Sequence, residues 1–155
     1  VIIVIFQNDI RKALMNMGQT PFLRRVYFFG KESEIEELCR GIESLASRRI
    51  GALIILERNT GLRDFIEKGV QIDAKISGSL LVSIFLKESP IHDGAIIISE
   101  GRIAAAACFL PLSQDPNLEK EMGTRHRAAI GLTEENDAVA VVVSEETGAI
   151  TFAMG

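Results

Sequence analysis

The sequence predicts an α/β domain in which a mixed central β-sheet is surrounded by helices. Short apolar runs rich in Ile, Val and Ala alternate with helical patterns, as in a buried sheet covered by helices. A chain of 155 residues is long enough for one hydrophobic core and too short for two ordinary domains. The composition, 47% hydrophobic and 25% charged, is typical of a folded globular protein. We therefore assign residues 1–155 to a single domain.

The clearest helix follows Ser33, where Ser33 and Glu36 have the spacing of a capping box, and apolar residues then recur at helical spacing to about Arg49. Further helices are predicted at about Ile10–Met17, Ser79–Leu86 and Arg125–Leu132. Continuous apolar runs predict strands at Val1–Phe6, Ala52–Leu56, Ile96–Ile98, Ile103–Phe109, Ala138–Val143 and Ile150–Ala153. The first of these runs is far shorter than the roughly 20 residues of a membrane helix. Because the chain starts at Val1 and stops directly after a strand, we expect it to be a fragment of a longer protein.

The charge pattern narrows the classes of partner. Seventeen basic and twenty-one acidic residues give a net charge of −4, and the longest basic runs are pairs such as Arg24-Arg25 and Arg48-Arg49. A general nucleic-acid surface needs a basic stripe, so we expect no nucleic-acid partner. A small phosphorylated ligand is compatible, because a few arginines can hold it. Cys39 and Cys108 are not in a Cys-x-x-Cys pair, which predicts reduced thiols in a cytosolic protein.

The two common glycine-rich nucleotide-binding motifs, Gly-x-Gly-x-x-Gly and Gly-Lys-Ser/Thr, do not occur in the sequence. A phosphate site must therefore be formed by other residues. The segment Gly123–Ala129 offers one, with Thr124 as a helix N-cap and Arg125–Arg127 in the first turn. Cations there oppose the helix dipole at a cost of about 0.3–1 kcal/mol each. They are explained if an anion binds the unpaired backbone N–H groups. The alternative is a solvated basic turn paired with acids such as Glu119 or Glu121.

Two further segments carry carboxylates beside predicted strands. In Pro90–Ala95, Asp93 stands at a strand entrance, where it can hold a divalent metal or orient a hydroxyl, and Gly94 lets a ligand approach the backbone. The alternative is an ordinary Asp-Gly turn. In Val143–Gly148, adjacent carboxylates between two strands suit a metal or a ribose, and a plain hairpin turn is the alternative. The two histidines of the chain, His92 and His126, both lie within or beside these three segments.

Taken together, Ser89–Ala95, Gly123–Ala129 and Val143–Gly148 resemble the diadenylate cyclase family, whose signature is the pair Asp-Gly-Ala and Arg-His-Arg. Shorter matches lie at Phe6-Gln7, Gly51–Ile54, Glu57-Arg58, Thr60–Leu62 and Leu110–Ser113, so the resemblance covers nearly the whole chain in order. It is strongest to the membrane-associated cyclases, in which N-terminal transmembrane helices precede the cyclase domain. The resemblance therefore implies a cytoplasmic domain at the cell membrane, attached through segments outside this chain.

The resemblance implies an enzyme that condenses two ATP into cyclic di-AMP and pyrophosphate, with one ATP per subunit and a divalent metal, namely manganese, magnesium or cobalt. Because the two linkages of the product are related by a two-fold axis, we expect a transient face-to-face homodimer. The main alternative is a module that binds ATP or cyclic di-AMP without turnover. Asp93 argues against it, since binding alone does not need that group. Another ATP-using phosphoryl-transfer enzyme and a purely structural domain are the remaining alternatives.

Residue roles also follow from the resemblance. The implied catalytic residues are Asp93, Arg125, His126 and Arg127, with Asp93 and metal activating the ribose 3′-hydroxyl. The implied nucleotide-binding residues are Gly94, Ala95, Phe109, Leu110, Thr124, Arg125, His126, Arg127, Ser144 and Glu145. The implied metal ligands are Asp93, His92 and Glu145. Phe109 stands where members of this branch often carry Tyr, so that stacking on adenine is kept and a hydroxyl is lost.

Overall fold

A computed structural model of the protein describes residues 2–6 and 32–155. Within these ranges the chain forms seven strands and four helices: β1 Ile2–Phe6, α1 Glu32–Ser47, β2 Ala52–Leu56, α2 Arg63–Lys68, β3 Val70–Lys75, α3 Gly78–Phe85, β4 Ala95–Ser99, β5 Arg102–Cys108, α4 Thr124–Glu135, β6 Val139–Val143 and β7 Ile150–Met154. The helix predicted at about Ile10–Met17 lies outside the described residues. Of the four helices, none has the length and apolar character needed to cross a bilayer.

All seven strands belong to one sheet with the order β1-β7-β6-β2-β4-β5-β3. β2 and β4 are parallel, and every other neighbouring pair is antiparallel. The sheet is therefore mixed, as predicted. β2 and β6 are buried along their whole length because both of their faces are covered, which explains their continuous apolar sequences.

Helices cover both faces of the sheet. On one face α1 and α3 contribute Leu38, Ile42 and Leu81 to a core that contains Ile54 and Ile96 of the sheet. On the other face α4 contributes Ala129 and Leu132, which pack with sheet residues that include Leu53, Ile55 and Val142. This two-faced packing confirms the predicted α/β class.

The structure contradicts one prediction about these elements and adds two elements that the sequence did not predict. Ser33 lies inside α1 instead of preceding it, so the predicted capping box at Ser33 and Glu36 is wrong. The short helix α2 was not predicted, because its six residues are too few for a helical repeat and only the adjacent Phe65 and Ile66 pack against the core. Strand β3 was also missed: it lies at the sheet edge, is mostly exposed and contains a bulge at Asp73, whose φ is +49°.

Candidate functional site

The sheet topology brings the sequence motifs to one end of the molecule. Because β2 and β4 are parallel, with Ile54 opposite Ile96, their N-terminal ends lie side by side. β5 and β6 run the other way, so that Cys108 at the end of β5 is opposite Ala95 and the end of β6 is beside the start of β2. Residues before β2 and β4 therefore meet residues after β5 and β6. This end of the sheet holds Asp93, Gly94, Ala95, Phe109, Leu110, Ser144 and Glu145.

Gly94 fixes the backbone where the chain enters β4. Its φ is +99°, and a β-carbon there would lie 2.9 Å from the carbonyl carbon of Ala107 and 3.0 Å from the carbonyl oxygen of Cys108. β5 changes register beside it, and Ala107 also has a positive φ of +52°. The backbone at Gly94 therefore approaches the end of β5 so closely that only glycine fits there. Asp93 precedes it as an exposed side chain at the strand entrance, where it was predicted.

An exposed aromatic side chain follows the end of β5. The strand was predicted to include Phe109, but it ends at Cys108, and Phe109 is 69% exposed. Leu110 is half-buried and packs against the core on the α4 face. Cys108 itself is buried next to Gly69, and burial raises the pKa of its thiol to about 11. The thiol is therefore neutral and unreactive at neutral pH, whereas Phe109 presents a free ring face.

Helix α4 begins with an N-terminus that no side chain caps. Gly123 occupies the N-cap position in an extended conformation, and Thr124 is the first helical residue, so the predicted N-cap role of Thr124 is wrong. The first turn has no acidic residue and contains Arg125, His126 and Arg127. Its leading N–H groups therefore point out of the helix without a side-chain acceptor from the cap, an arrangement that suits an anion.

Arg125 is held between the start of β2 and the β6–β7 hairpin. Its guanidinium lies against Gly51, where a β-carbon would come within 2.6 Å of Nη1 and 2.7 Å of Cζ. The same Nη1 is 3.7 Å from Oε2 of Glu145, with side-chain exposures of 26% and 65% respectively. This separation is longer than a hydrogen bond, so the ion pair is loose and leaves N–H groups for another anion. The sequence did not assign Gly51 to the site; its signals were a glycine directly before a buried strand and its place in the family match at Gly51–Ile54.

Arg127 contacts backbone instead of carboxylates. Its Nε and Nη2 donate to the carbonyl oxygens of Met122 and Glu119, each at 3.3 Å. The alternative prediction was that these basic residues pair with the carboxylates of Glu119 or Glu121. Arg127 does contact Glu119, but through the backbone carbonyl and not through the carboxylate. These bonds fix the loop at the start of α4 and leave the positive charge of Arg127 opposite neutral groups.

His126 is half-buried in the first turn of α4. Burial, and secondarily the charge of Arg125, lower the pKa of His126 below its ordinary value of 6.5. The imidazole is therefore neutral at pH 7 in the ligand-free protein. A negatively charged ligand nearby would oppose this shift, which makes the protonation of His126 a reporter of anion binding.

The hairpin after β6 holds Ser144 in a defined position. The backbone N–H of Ser144 donates to Ala149, and its Oγ accepts from the N–H groups of Glu146 and Thr147 at 3.3 Å. The Ser144 Oγ accepts both bonds, so its hydroxyl hydrogen is available to a ligand. Residues 144–149 therefore form the hairpin turn that was the alternative prediction for this segment. The turn places Ser144 and Glu145 at the same end of the sheet as Arg125.

The proposed metal ligands were tested on their donor chemistry. Nδ1 of His92 lies 2.7 Å from the carbonyl oxygen of Ser89. A carbonyl only accepts, so Nδ1 is the donor in this contact, which leaves Nε2 as the ring nitrogen that could face a metal. Across residues 2–6 and 32–155, however, no three His, Cys, Asp or Glu side chains are grouped so as to hold a metal ion. His92, Asp93 and Glu145 fit a divalent cation in donor type, and further oxygens from a ligand or water would have to complete its coordination.

Comparison with known proteins agrees with this geometry. The family described as DAC, "DisA bacterial checkpoint controller nucleotide-binding", matches residues 39–155. The chain belongs to the diadenylate cyclase family. It is 47% identical over 155 residues to the cyclic di-AMP synthase CdaA of Bacillus subtilis (strain 168), covering 98% of this chain and 57% of that protein. It is also 47% identical over 160 residues to a diadenylate cyclase of Listeria monocytogenes serotype 1/2a (strain 10403S), covering 99% and 58%.

A solved structure supports the same relationship. The crystal structure of a double mutant of DacA from Staphylococcus aureus superposes with a TM-score of 0.78 at 50% identity, covering 79% of this chain and 82% of that one. The chain spans 57% to 58% of the two curated relatives named above. Family membership confirms the resemblance found in the sequence and its mixed α/β fold. Among the residues that the structure describes, Arg125 forms an ion pair with Glu145, whereas His92 and Asp93 form no hydrogen bond or ion pair with either of them.

Proposed function

We propose that the protein is a diadenylate cyclase, which condenses two ATP into cyclic di-AMP with release of two pyrophosphates. The observation that supports this most is that a site for phosphate and a carboxylate for the ribose lie at the same end of the sheet. Arg125 and the uncapped start of α4 provide an anion site, and Glu145 lies 3.7 Å from Arg125 on the neighbouring hairpin. Asp93 lies at the entrance of the adjacent strand β4. The names of the relatives, cyclic di-AMP synthase and diadenylate cyclase, agree with this proposal.

The triphosphate binds at the first turn of α4. The leading N–H groups of the helix and the guanidinium of Arg125 each bind phosphate oxygens in this arrangement, and Arg127 adds a second positive charge. The Ser144 hydroxyl donates to a phosphate oxygen. These groups stabilise the negative charge that develops on the phosphoryl oxygens during transfer, which is the main contribution a protein makes to this chemistry.

Asp93 acts on the ribose. The 3′-oxygen of one ATP attacks the α-phosphorus of the second, a new O–P bond forms, and the bond from that phosphorus to the pyrophosphate oxygen breaks in line with the attack. The hydroxyl proton leaves toward the carboxylate of Asp93. A divalent cation, manganese, magnesium or cobalt, would supply neutralisation of phosphate charge and a lower pKa of the hydroxyl when held by His92, Asp93 and Glu145. Asp93 is exposed, so its carboxylate is accessible to a ribose.

The adenine stacks on Phe109 beside the backbone of Leu110. Phe109 is 69% exposed, so its ring is open to stacking by a base. Gly94 lies next to the end of β5 and can approach the nucleotide with its backbone, whereas the side chain of Ala95 is fully buried and supports the site from beneath. Stacking on an aromatic face adds affinity for any base, so the specificity for adenine comes from backbone hydrogen bonds.

Each subunit holds one ATP, and two subunits face each other transiently. The product has two identical linkages related by a two-fold axis, the symmetry of an isologous dimer. In the full-length protein we place this domain at the cytoplasmic face of the cell membrane, attached through segments outside the chain. The alternative function, a module that binds nucleotide without turnover, leaves the exposed Asp93 unexplained.

The experiment is incubation of the purified protein with ATP and manganese, followed by chromatography for cyclic di-AMP and a coupled assay for pyrophosphate. We expect cyclic di-AMP and two pyrophosphates for each product molecule. ATP binding by calorimetry without any product would support the binding module instead. Pyrophosphate without cyclic di-AMP would indicate a different nucleotidyl transfer.

A further inference from the structure

A cavity of about 330 Å³ lies between α4, the loop before it and strands β6 and β7. Its floor consists of Ala129, Ile130, Val142, Thr151 and Ala153, and its rim includes Glu119, Glu121, Met122, Gly123, His126 and Glu146. The lining includes neither Asp93 nor Phe109, the groups placed on the ribose and the adenine. The cavity therefore shares Gly123 and His126 with the phosphate end of the nucleotide site and extends away from its ribose and adenine positions.

The cavity exists because small side chains face each other across the packing of α4 on the sheet. Ala129 on the helix and Ala153 on β7 are both buried, and neither fills the space between the two layers. The volume lies at the lower end of the range for small-molecule sites, about 300–1,000 Å³. A ligand with a single ring system would fill it.

One polar side chain lies in the floor of this cavity. Thr151 is only 9% exposed as a residue, and its hydroxyl makes no hydrogen bond with any residue in the described part of the chain. Thr151 is opposite Val142 in the β6–β7 ladder, and both side chains line the cavity. The Thr151 hydroxyl is therefore open to the cavity, where it can form a hydrogen bond with a polar atom of a ligand.

The mouth of the cavity is acidic. Glu119, Glu121 and Glu146 are all exposed there, and the half-buried His126 beside them has a lowered pKa and is neutral at pH 7. Arg127 contacts the same loop through backbone carbonyls and is not part of the lining. These carboxylates give the mouth of the cavity a negative charge, which favours a cationic ligand over an anionic one.

We propose that this cavity binds a small heteroaromatic amine. The ring would lie between α4 and the sheet, its ring N–H would donate to the Thr151 hydroxyl, and its ammonium group would reach the carboxylates at the mouth. An aromatic ring with one N–H matches a floor that is apolar except for one hydroxyl. The proposal does not depend on cyclase activity, since it concerns binding of the amine and not turnover of ATP.

The test uses tryptamine as the probe and indole-3-acetate, which has the same ring and the opposite charge, as its matched control. Binding is followed by two-dimensional NMR on the isotope-labelled chain. We expect tryptamine to shift the amide signals of Gly123, Thr151 and Ala153, and indole-3-acetate to bind at least tenfold more weakly. Equal affinity for both probes, or shifts confined to other parts of the chain, would overturn the proposal.

Variants of the cavity distinguish the hydrogen bond to Thr151 from the charge interaction with the carboxylates at the mouth. Thr151→Val keeps the shape of the side chain and removes the hydroxyl, so tryptamine affinity should fall about two- to tenfold, the range for one hydrogen bond. Glu119→Gln combined with Glu146→Gln should weaken it further. Glu135→Gln, which removes an exposed charge from the other end of α4, should leave it unchanged. Equal effects of Glu135→Gln and the double variant would show that only net charge matters and would contradict a defined site.

Competition with nucleotide distinguishes this cavity from the nucleotide site. α,β-Methylene-ATP, which cannot react at the α-phosphorus, is added to saturation before the tryptamine titration. We expect a ternary complex, in which tryptamine still binds and shifts Thr151. Strict competition between the two would show that the cavity belongs to the nucleotide site and would refute a separate one.

Discussion

The guanidinium of Arg125 packs directly on the backbone of Gly51, so closely that a β-carbon at residue 51 would come within 2.6 Å of Nη1. This contact joins the first turn of α4 to the start of β2. It positions the cation that also faces Glu145 at 3.7 Å. Gly51 is therefore a positioning residue for the anion site, acting through Arg125 without touching the ligand itself.

Replacing Gly51 with alanine should displace Arg125 and weaken ATP binding. The loss should approach that of Arg125→Ala, which we expect to cost about 1.5–3 kcal/mol, the range for a hydrogen bond to a charged group. Calorimetry with α,β-methylene-ATP measures both. Gly61→Ala is the matched control, since a β-carbon there meets nothing within 4 Å. Unchanged affinity in Gly51→Ala and Arg125→Ala would place the phosphate site elsewhere.

Replacing Asp93 with asparagine should abolish cyclisation and leave ATP binding largely intact. The change removes the proton acceptor and keeps both the size of the exposed side chain and the groups at α4. A group of this kind contributes about 10²- to 10⁴-fold to the rate. Product formation is measured together with calorimetric affinity, and Glu88→Gln, another exposed acid nearby in sequence, serves as the control. Cyclase activity retained in Asp93→Asn would contradict the assigned role.

The parts of this fold that the sequence predicts are those whose burial is continuous. β2, β4 and β6 lie in the sheet interior with helices on both faces, so their sequences are unbroken apolar runs. β3 escapes prediction because an edge strand with a bulge needs no such run. The helix α2 also escapes prediction, because six residues are too few to show a helical repeat of apolar positions.

The residues of the site also differ in how far the sequence predicts them. Local motifs such as Asp93-Gly94 and Arg125–Arg127 are visible in the sequence, because their chemistry is carried by neighbouring residues. The contact of Gly51 with Arg125 depends on how α4 packs on the sheet, and no pattern within either segment encodes it. The cavity at Thr151 likewise depends on the distance between α4 and β7, which the sequence does not specify.

The lowered pKa of His126 makes stability depend on pH. Between the lowered pKa of the folded state and the ordinary value of about 6.5, the unfolded chain binds more protons at this residue than the folded one. This contribution to stability is therefore present above pH 6.5 and is lost as the pH falls through the folded pKa. Urea denaturation at pH 7.5 and pH 5.5 should show the loss, and His126→Gln should reduce the difference. An equal difference in that variant would assign the effect to other groups.

Nucleotide binding should be accompanied by proton uptake at His126. The triphosphate adds negative charge beside an imidazole whose pKa burial and Arg125 have lowered, so binding raises that pKa and draws a proton onto the ring. Calorimetry with α,β-methylene-ATP at pH 6.0, in two buffers of different ionisation enthalpy, measures the number of protons taken up. The uptake should disappear in His126→Gln. Proton release, or identical uptake in the variant, would show that the anion does not approach His126.

The last prediction concerns the dimer. If each subunit holds one ATP, each 3′-hydroxyl meets the other α-phosphorus only across an interface, so no single subunit can complete the ring. Two facing triphosphates repel each other, and this keeps the dimer weak unless Arg125, Arg127 and metal offset the charge. Specific activity at saturating ATP should therefore rise with enzyme concentration. A dilution series from the micromolar range downward, with light scattering at each point, measures it.

Mixing wild-type protein with Asp93→Asn sharpens this test, because a mixed pair has one active carboxylate and can form only one of the two linkages. In an equimolar mixture at fixed total protein, random pairing leaves about one quarter of the particles with two wild-type subunits. Cyclic di-AMP formation should fall toward that fraction, and a linear dinucleotide should accumulate. Glu88→Gln in place of Asp93→Asn should leave product formation unchanged. A fall to only half, together with constant specific activity from particles shown to be monomeric, would mean that one subunit closes the ring alone and would refute the two-subunit mechanism.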